Sequence, residues 1–276
     1  MDDTVVRIYD WRGSGDFVEL SGPRQGDHGA RLLEGVEGIW EAERSLVSIK
    51  TARLPGSIPV AVRIEELEID FMTIIQGKDS LEWQWWNRRI HRLLSFDHDS
   101  LLVVQTLPWG PRWIKVRRSG KHETEIEEDP TWSLSQLWDW RLVAHDPDWR
   151  TKDLTASWSN NTAARRGNLR VANRGDRPTF VKWAGRGGNW NLQAPGGQWN
   201  PLPRMAADEE WKVDSHPLAT QLSSTADRDK WRRLQRGFTT PISEPGAHAF
   251  GVECEGPLSA AKVQLRVEQR YEHPWG

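Results

Sequence analysis

The carboxylates of the chain are most concentrated in one short acidic run. This run holds Glu123, Glu125, Glu127, Glu128 and Asp129. A glycoside hydrolase needs two carboxyl groups at a defined separation, and an apolar pocket has to raise the pKa of one of them. Neighbouring carboxylates in a single run stay hydrated, so they do not form such a pair. We interpret the run as a loop or an exposed strand edge.

Other patterns of catalytic and metal-binding residues are missing from the sequence. The 8 His residues are scattered and form neither an HExxH motif nor a pair with zinc-binding spacing. The sequence has no GxSxG motif, and Cys254 is its single cysteine, which excludes an intrachain disulfide. We therefore predict a protein that is not an enzyme and that binds no metal and no cofactor.

Tryptophan is the most over-represented residue type, with 18 Trp against 6 Phe and 2 Tyr. A buried Trp removes roughly 150–250 Å² from water, so a chain poor in aliphatic residues can still form a sufficient core. Trp is also enriched at the centres of protein interfaces. We expect most of these Trp in cores and the others in assembly or ligand contacts.

Three of the Trp residues suggest a carbohydrate site in the second half of the chain. Trp183, Trp190 and Trp199 are interleaved with Asn or Gln at positions 189, 191, 193, 198 and 200. Indole rings are able to stack on sugars, and amides are able to bond their hydroxyls. The alternative is that these Trp fill a thin sandwich core or contact a neighbouring protein. The sequence leaves both interpretations open.

Length and charge exclude several classes of protein. The 276 residues suffice for two ordinary domains or one large β domain. The net charge of -2 gives no indication of a protein that clamps DNA. No segment approaches the ~18 apolar residues of a membrane span, and the first residues lack the basic region of a secretory signal. We expect no membrane insertion.

An acidic face is predicted on a strand at residues 59–71. Apolar and polar side chains alternate there, but the phase slips at Glu65 and Glu66. A slip of one residue in a strand pattern indicates a β-bulge. After the slip, Glu66, Glu68 and Asp70 share one face, which their like charges should keep hydrated.

Residues 79–97 carry the clearest helical pattern in the chain. Asp79 is placed to cap a helix, and Glu82 completes a capping box. One apolar stripe at helical spacing comprises Trp83, Trp86, Ile90, Leu93 and Leu94. Strands are predicted around this helix at residues 4–20, 32–49, 101–106, 112–118 and 134–145. The first half is therefore an α+β domain with antiparallel sheets and one helix, ending near Trp149.

The second half predicts a domain of short strands. Strand-like segments lie at residues 151–158, 168–172, 179–183, 211–214 and 261–271, with a Gly- and Trp-bearing hairpin at 185–197 and a short helix at 226–236. In the last strand, apolar residues from Ala261 to Tyr271 alternate with charged and amide residues, which is typical of a half-buried antiparallel strand. Short strands separated by turn signals predict a sandwich or jelly roll.

The order of three motifs resembles that of a known family. Residues 137–149 (LWDWRLVAHDPDW) form a Trp-bearing strand that ends at an Asp-Pro corner, and residues 173–178 (NRGDRP) form a polar turn that opens the second region. A Pro-Gly turn at 245–246 precedes two β runs and a final Pro274-Trp275. This order resembles distal tail proteins of long-tailed bacteriophages (siphoviruses). The Trp and Arg content resembles the versions from actinobacterial phages.

The resemblance implies a structural virion protein of the phage tail tip. It implies an α+β ring (belt) domain at residues 1–149 and a galectin- or jelly-roll-like β-sandwich, the lectin-like outer domain, at residues 150–276. The expected assembly is a homo-oligomeric ring, a hexamer, that joins the tail tube protein to the tip (hub) protein. DNA would pass through it without specific binding. Synthesis and assembly would take place in the host cytoplasm.

The bore of such a ring should not hold DNA. Lys and Arg along it would bind phosphates in a salt-sensitive way. We therefore expect that Glu66, Glu68 and Asp70, or the carboxylates of residues 123–129, line the bore. The alternative is an ordinary hydrated strand face.

Two other functions compete with the ring protein. One is another minor tail protein of the same tip, and the second is a stand-alone carbohydrate-binding module that contacts the host envelope. The helix at residues 79–97 distinguishes a tail protein from the binding module, because a simple binding module does not need a helix inside its sheet domain. An enzyme is the third and weakest interpretation.

Overall fold

The computed structural model describes residues 4–10, 12–33, 35–50, 55–120, 126, 128–159, 165–255 and 261–275. By its internal contacts the chain divides into two compact units: Met1–Trp149 together with Glu272–Gly276, and Arg150–Tyr271. Both consist mostly of strands, so the β-rich character predicted for the chain is confirmed. The assignment of residues 1–149 to a ring and 150–276 to an outer domain stays a prediction.

In its described residues the first unit contains nine strands, β1–β9, and two helices, α1 and α2. The strands are β1 Thr4–Tyr9, β2 Phe17–Ser21, β3 Ala30–Leu32, β4 Arg44–Ile49, β5 Ile58–Ile64, β6 Leu67–Gln76, β7 Ser100–Thr106, β8 Gly110–Arg118 and β9 Ser135–Ala144; the helices are α1 Ser80–Leu93 and α2 Pro130–Ser133. β1 pairs with β2 and β7, and β7 pairs with β8. β6 pairs with β3 and β9, while β4 and β5 pair only with each other. All of these pairs are antiparallel.

The core of this unit follows from period-2 alternation along β6 and β9. Side chains from Leu67 to Ile75 point alternately into the core and away from it, as the strand pleat requires. The pairing of β6 with β9 sets Phe71 opposite Trp140, which is fully buried. The indole Nε1 of Trp140 donates a hydrogen bond to Thr73 Oγ1 at 2.8 Å. This bond satisfies the polar group of a ring that would otherwise cost free energy to bury.

The predicted bulge at Glu65 and Glu66 is wrong. β5 ends at Ile64 and β6 begins at Leu67, and the two strands belong to different sheets. The phase slip therefore marks a boundary between strands instead of an extra residue within one. The predicted strand at residues 4–20 is likewise two strands, β1 and β2, and the one at 32–49 is interrupted between β3 and β4.

The predicted helix is confirmed as α1, which ends at Leu93 instead of residue 97. Asp79 caps it, with Oδ1 accepting a hydrogen bond from the Glu82 amide at 2.8 Å. Glu82 Oε2 reaches back to the amide of Lys78 at 2.7 Å, one residue beyond the reciprocal bond of a capping box. The buried residues of the stripe are Trp83, Ile90 and Leu93.

The second unit contains strands β10–β17 and one 3₁₀ helix. The strands are β10 Trp149–Ser159, β11 Arg166–Asn173, β12 Val181–Gln193, β13 Trp199–Pro201, β14 Met205–Asp214, β15 Leu222–Ser224, β16 Gly246–Glu255 and β17 Lys262–Tyr271; the 3₁₀ helix is Lys230–Arg233. β11 pairs with β16, β15 with β14, and β10 lies beside β17. The predicted helix at 226–236 is thus a single 3₁₀ turn.

One long strand, β12, belongs to both sheets of this unit. Its first half pairs with β14 and β17, and its second half pairs with β13 and β16. Gly187 and Gly188 lie between the halves with φ of 57° and 79°. A Cβ on Gly187 would be 2.7 Å from the Ala207 carbonyl oxygen, so the bend requires glycine. The predicted hairpin at 185–197 is confirmed in its second part: β12 runs on to Gln193 and pairs with β13 across a turn at residues 194–198.

The two sheets share one hydrophobic core that is rich in Trp. Trp190 from the second half of β12 contacts Trp211 of β14, with ring centroids 5.6 Å apart. Trp183 from the first half contacts Phe250 of β16 edge to face at 6.0 Å. Large aromatic rings thus compensate for the low aliphatic content of the chain. The galectin- or jelly-roll-like arrangement of these sheets stays a prediction.

The last strand departs from its predicted alternation at one end. Glu268 and Arg270 of β17 were expected on a charged outer face, but they are only 9% and 7% exposed. Lys182 Nζ lies 2.7 Å from Glu268 Oε1, so the buried carboxylate has a cationic partner. Burial of Glu268 is tolerated because it is paired.

A second buried ion pair joins the 3₁₀ helix to β14. Lys230 Nζ forms an ion pair with Glu209, and both side chains are almost fully buried. Glu209 also accepts hydrogen bonds from the Ser224 hydroxyl and, at 2.8 Å, from the Ala206 amide. Burial opposes ionisation of Glu209, but the bonds from Lys230, Ser224 and Ala206 outweigh it and hold the pKa of the carboxyl below its ordinary value.

Replacement of Lys230 by Met should destabilise the protein by about 3–5 kcal/mol, because it leaves the Glu209 carboxylate buried without a partner. Since the folded-state pKa of Glu209 is lowered, its contribution to stability is present above the unfolded-state pKa. That contribution is lost as the pH falls through the folded-state pKa. Urea unfolding at neutral and acidic pH measures both effects.

The control is R232M, which removes an exposed ion pair with Asp229 and should lower the free energy of unfolding by less than about 1 kcal/mol. Equal costs for the two variants would contradict the prediction.

Candidate functional site

The most unusual surface of the first unit is the two-stranded ribbon of β4 and β5, here named the arm. Every residue of both strands is exposed. Among them are large apolar side chains whose exposed fractions run from 39% at Ile64 to 65% at Leu46. Contiguous exposed apolar surface of this kind marks an interaction site, and an isolated two-stranded ribbon is marginally stable by itself. The arm is therefore the candidate functional site.

Apolar side chains lie on both faces of the arm. Leu46 of β4 stands directly opposite Val62 of β5, and Ile64 lies two residues from Val62 on the same side. Residues directly opposite one another in an antiparallel pair project to the same face. The face that carries Leu46, Val62 and Ile64 is here named the apolar face.

The opposite face of the arm is mixed. Val47 stands opposite Ala61, and Ser45 stands opposite Arg63. A register shift between Val47 and Ser48 interrupts the pairing, and Ile49 and Ile58 stand opposite each other beyond it. Within the described residues each strand pairs only with the other, so both outer edges of the arm lack a neighbouring strand there. The arm offers a partner an apolar face and two strand edges.

Aromatic contacts hold the root of the arm to the last residues of the chain. Trp40, which precedes β4, packs against Trp275 with ring centroids 4.6 Å apart. The Nδ1 atom of His273 lies 2.9 Å from the Trp40 carbonyl oxygen. Residues 272–275 therefore fix the segment that leads into the arm. We name these contacts the root clamp.

Charged groups complete the root clamp. Arg44, the first residue of β4, forms an ion pair with Glu272. The buried guanidinium of Arg112 donates to the carbonyl oxygens of His273 at 2.6 Å and Trp275 at 3.2 Å. β8, which carries Arg112, thus anchors the clamp to the core of the unit. The root of the arm is held while its apolar face stays open.

The predicted acidic face has basic side chains beside it. Glu66 precedes β6, and its Oε2 lies 2.9 Å from His145 Nδ1. Glu68 is exposed on β6, and Asp70 is half-buried on the same face, directly opposite Arg141. Burial raises the pKa of Asp70 above its ordinary value, against the opposing effect of Arg141. Whether this face lines a bore stays a prediction.

The acidic run lies largely outside the described residues, which include neither Glu123 nor Glu125 nor Glu127. Asp129 has a local structural role, since its Oδ1 accepts a hydrogen bond from the Thr131 amide at 2.9 Å at the start of α2. This bond lowers the pKa of Asp129. Asp129 is therefore a helix cap.

The predicted carbohydrate contacts are wrong for Trp183 and Trp190. Each ring is only 1% exposed, so no sugar can stack on it. Trp199 is half-buried, and its ring lies so close to Gly251 that a Cβ there would be 2.5 Å from Trp199 Cη2. Asn191 and Asn200 donate hydrogen bonds to Glu253 and to the Gly237 carbonyl at 3.2 and 2.9 Å. These amides therefore stabilise the fold.

The arm is not evident from the sequence because β5 has the same alternation as a buried strand. Its apolar residues were assigned to the same strand as the core residues of β6. The available signal was the phase slip at Glu65 and Glu66, which separates the two strands. Nothing local in the sequence shows that no sheet covers β5.

In the described part of the chain, no group of three or more His, Cys, Asp or Glu side chains is placed to hold a metal ion. None of the helices described there is long and apolar enough to cross a bilayer.

Comparisons with known proteins identify the fold. No protein-family model matches the chain, and no curated protein matches it. The chain is similar to the crystal structure of the Dit protein of SPP1, described as a paradigm of hub adsorption apparatus in phages that infect Gram-positive bacteria. The TM-score is 0.64 at 11% identity, and the match covers 96% of this chain and 99% of that one.

Two structures of the phage p2 baseplate in its activated conformation are also similar. The one with Ca has a TM-score of 0.57 at 6% identity, covering 98% of this chain and 99% of that chain. The one with Sr has a TM-score of 0.56 at 7% identity with the same coverage of 98% and 99%. At such identities the likeness establishes a shared fold. The chain therefore has, over nearly its whole length, the fold seen in a phage hub protein and in a phage baseplate.

Proposed function

We propose that this protein is a structural component of a bacteriophage tail tip. The observation that carries the proposal is the likeness to the SPP1 Dit protein and the p2 baseplate, which extends over 96% or more of this chain and 99% of those chains. A likeness limited to one common domain would be weaker support, because unrelated functions share single folds. The exposed arm adds a surface suited to assembly.

We further propose that the arm joins copies of this chain into a closed ring. An apolar face that contacts a different surface on the next copy forms a heterologous contact. Such contacts generate rings when the rotation closes. The distal tail resemblance favours a hexamer. The ring would lie in the virion between a tail tube protein and a tip or hub protein, without a catalytic role.

The receiving surface that we propose lies on the two helices of the first unit. Leu81 and Trp85 of α1 and Trp132 of α2 are all large, apolar and exposed. The guanidinium of Arg89 lies 5.3 Å from the centroid of the Trp85 ring and forms an ion pair with Asp16, so its charge already has a partner. Burial of one Val or Ile side chain contributes about 1.5–3 kcal/mol, so several arm residues would stabilise a contact strongly.

We also propose that the bore of the ring carries Glu68 with Glu66 and Asp70 beside it. Carboxylates repel phosphates, so they would let DNA pass without holding it. Glu68 would supply most of the negative charge, because Glu66 has His145 and Asp70 has Arg141 nearby. A ring structure that places these residues on its outer rim would exclude this part of the proposal.

Substitution of Val62 by Asp should abolish ring formation while leaving the free energy of unfolding within about 0.5 kcal/mol, because Val62 is an exposed residue. A carboxylate on the apolar face would have to be desolvated in the contact between copies. Electron microscopy and sedimentation velocity at high protein concentration measure assembly, and urea unfolding measures stability.

The matched control is A61D, which introduces the same charge on the opposite face of the same strand. It should assemble like the wild type. If the wild type alone stays monomeric, the two variants are compared in the presence of the tail tube protein. Assembly of V62D to the same extent as A61D would contradict a role of the apolar face.

Deletion of residues 272–276 should loosen the arm, because it removes the partners of Trp40 and Arg44. Amide hydrogen exchange of β4 and β5 should become faster, while that of β6 stays slow. Since the arm then samples more orientations, assembly should weaken. The control is Trp109→Ala, which removes an exposed Trp from the β7–β8 turn and should leave exchange in the arm unchanged. Unchanged exchange in the deletion variant would show that the clamp does not hold the arm.

A further inference from the structure

A groove of about 580 Å³ lies in the second unit between the segment that leads into β15 and the 3₁₀ helix. Its residues are Leu218, Ala219, Thr220, Gln221, Trp231, Arg232, Leu234, Gln235, Arg236 and Gly237. This volume falls within the roughly 300–1,000 Å³ of typical small-ligand sites.

The groove is preformed by the buried core beside it. The ion pair of Lys230 with Glu209 directs one side of the 3₁₀ helix inward. Trp231, the next residue, therefore points outward and is 45% exposed. On the other side, Gln221 Oε1 accepts a hydrogen bond from the amide of the buried Phe238 at 3.3 Å. Both walls are thus held by contacts within the fold, so less conformational entropy is lost in the groove when a ligand binds.

The walls combine an aromatic ring, apolar surface and positive charge. The Trp231 ring shares the groove with Leu218, which is 91% exposed. The guanidinium of Arg232 lies 5.5 Å from the Trp231 ring centroid. Arg236 also lines the groove, and its side chain has no hydrogen-bond or ion-pair partner among the residues that the structure describes.

Acidic side chains are absent from the described lining of the groove, which includes two arginines and two glutamines. Arg232 does have an exposed partner outside the groove, Asp229 at 3.6 Å, a contact that water screens. The local charge is therefore positive and unbalanced. A ligand that complements these walls presents a ring face, hydroxyl groups and an anionic group.

We propose that this groove binds an acidic glycan. A sugar ring stacks on Trp231, and its carboxylate or phosphate receives hydrogen bonds from Arg236 and Arg232, whose planar forks suit such groups. The amides of Gln235 and the hydroxyl of Thr220 bond sugar hydroxyls. An acidic peptide is the competing occupant, but it has no need of an exposed indole beside the arginines. This inference goes beyond a structural role in a tail tip and does not depend on it.

Isothermal titration calorimetry of the full chain tests the proposal with three probes. A galacturonic acid hexamer supplies an acidic sugar ring with carboxylates, and its methyl ester supplies the same ring without charge. Glucosylated poly(glycerol phosphate) supplies phosphates. We expect binding of at least one acidic probe, and methyl esterification should weaken binding of the hexamer about tenfold or more if the carboxylates are the groups recognised.

Two variants assign the binding to the groove. Trp231→Ala and Arg236→Gln should each weaken binding of the acidic probe about tenfold, the loss expected for one charge-assisted hydrogen bond or one stacking contact. Both residues are exposed, so the variants should unfold at the wild-type temperature. The matched control is R228Q, which removes an exposed arginine of the same segment that does not line the groove. It should bind like the wild type.

Three results would overturn the proposal. The first is absence of binding of both acidic probes at millimolar concentration. The second is equal weakening by R228Q and R236Q, which would indicate a diffuse cationic surface. The third is a poly-glutamate peptide that binds as tightly as the acidic sugar and is indifferent to Trp231→Ala, which would assign the groove to acidic peptides.

Discussion

The arm has an apolar face that its own unit does not cover. Exposed apolar surface is unfavourable in water, and the register of β4 with β5 places Leu46, Val62 and Ile64 together on one face of a two-stranded ribbon. Folding of the chain cannot remove this cost, but association can. The root clamp belongs to the same arrangement, because Trp275 and Glu272 hold the start of the arm while its face stays open. The ring that we propose follows from this constraint and from the shared fold.

The remaining structure provides rigid support in which large rings replace aliphatic bulk. Trp140 is fully buried and hydrogen-bonded to Thr73 in the first unit, and Trp190 contacts Trp211 in the second. In the second unit the bend of β12 at its glycines allows one strand to serve two sheets around one core. The same unit contains the buried ion pair of Lys230 with Glu209. It fixes the 3₁₀ helix and so presents Trp231 to solvent.

Elements that are specified within one segment could be predicted from the sequence, but the pairing of strands distant in sequence could not. The helix α1 was predictable because Asp79 and a stripe of apolar residues specify it within one segment. The pattern at residues 59–71 predicts one bulged strand because β5 and β6 both alternate with period 2, whereas the burial of β6 depends on partners distant in sequence. The sequence leaves Trp183 and Trp190 open between a core and a carbohydrate surface, because the course of β12 depends on partners distant in sequence. The groove at Trp231 has no periodic signal at all, since a single 3₁₀ turn defines it.

The central claim is that another copy of the chain covers the apolar face of the arm. Electron cryo-microscopy of the protein assembled at high concentration tests this most directly, because it shows what contacts Leu46 and Val62. The account predicts a closed ring in which each arm packs on α1 and α2 of a neighbouring copy, with an open bore. An assembly in which the arms stay exposed to solvent, or pair only with each other about a two-fold axis, would contradict it.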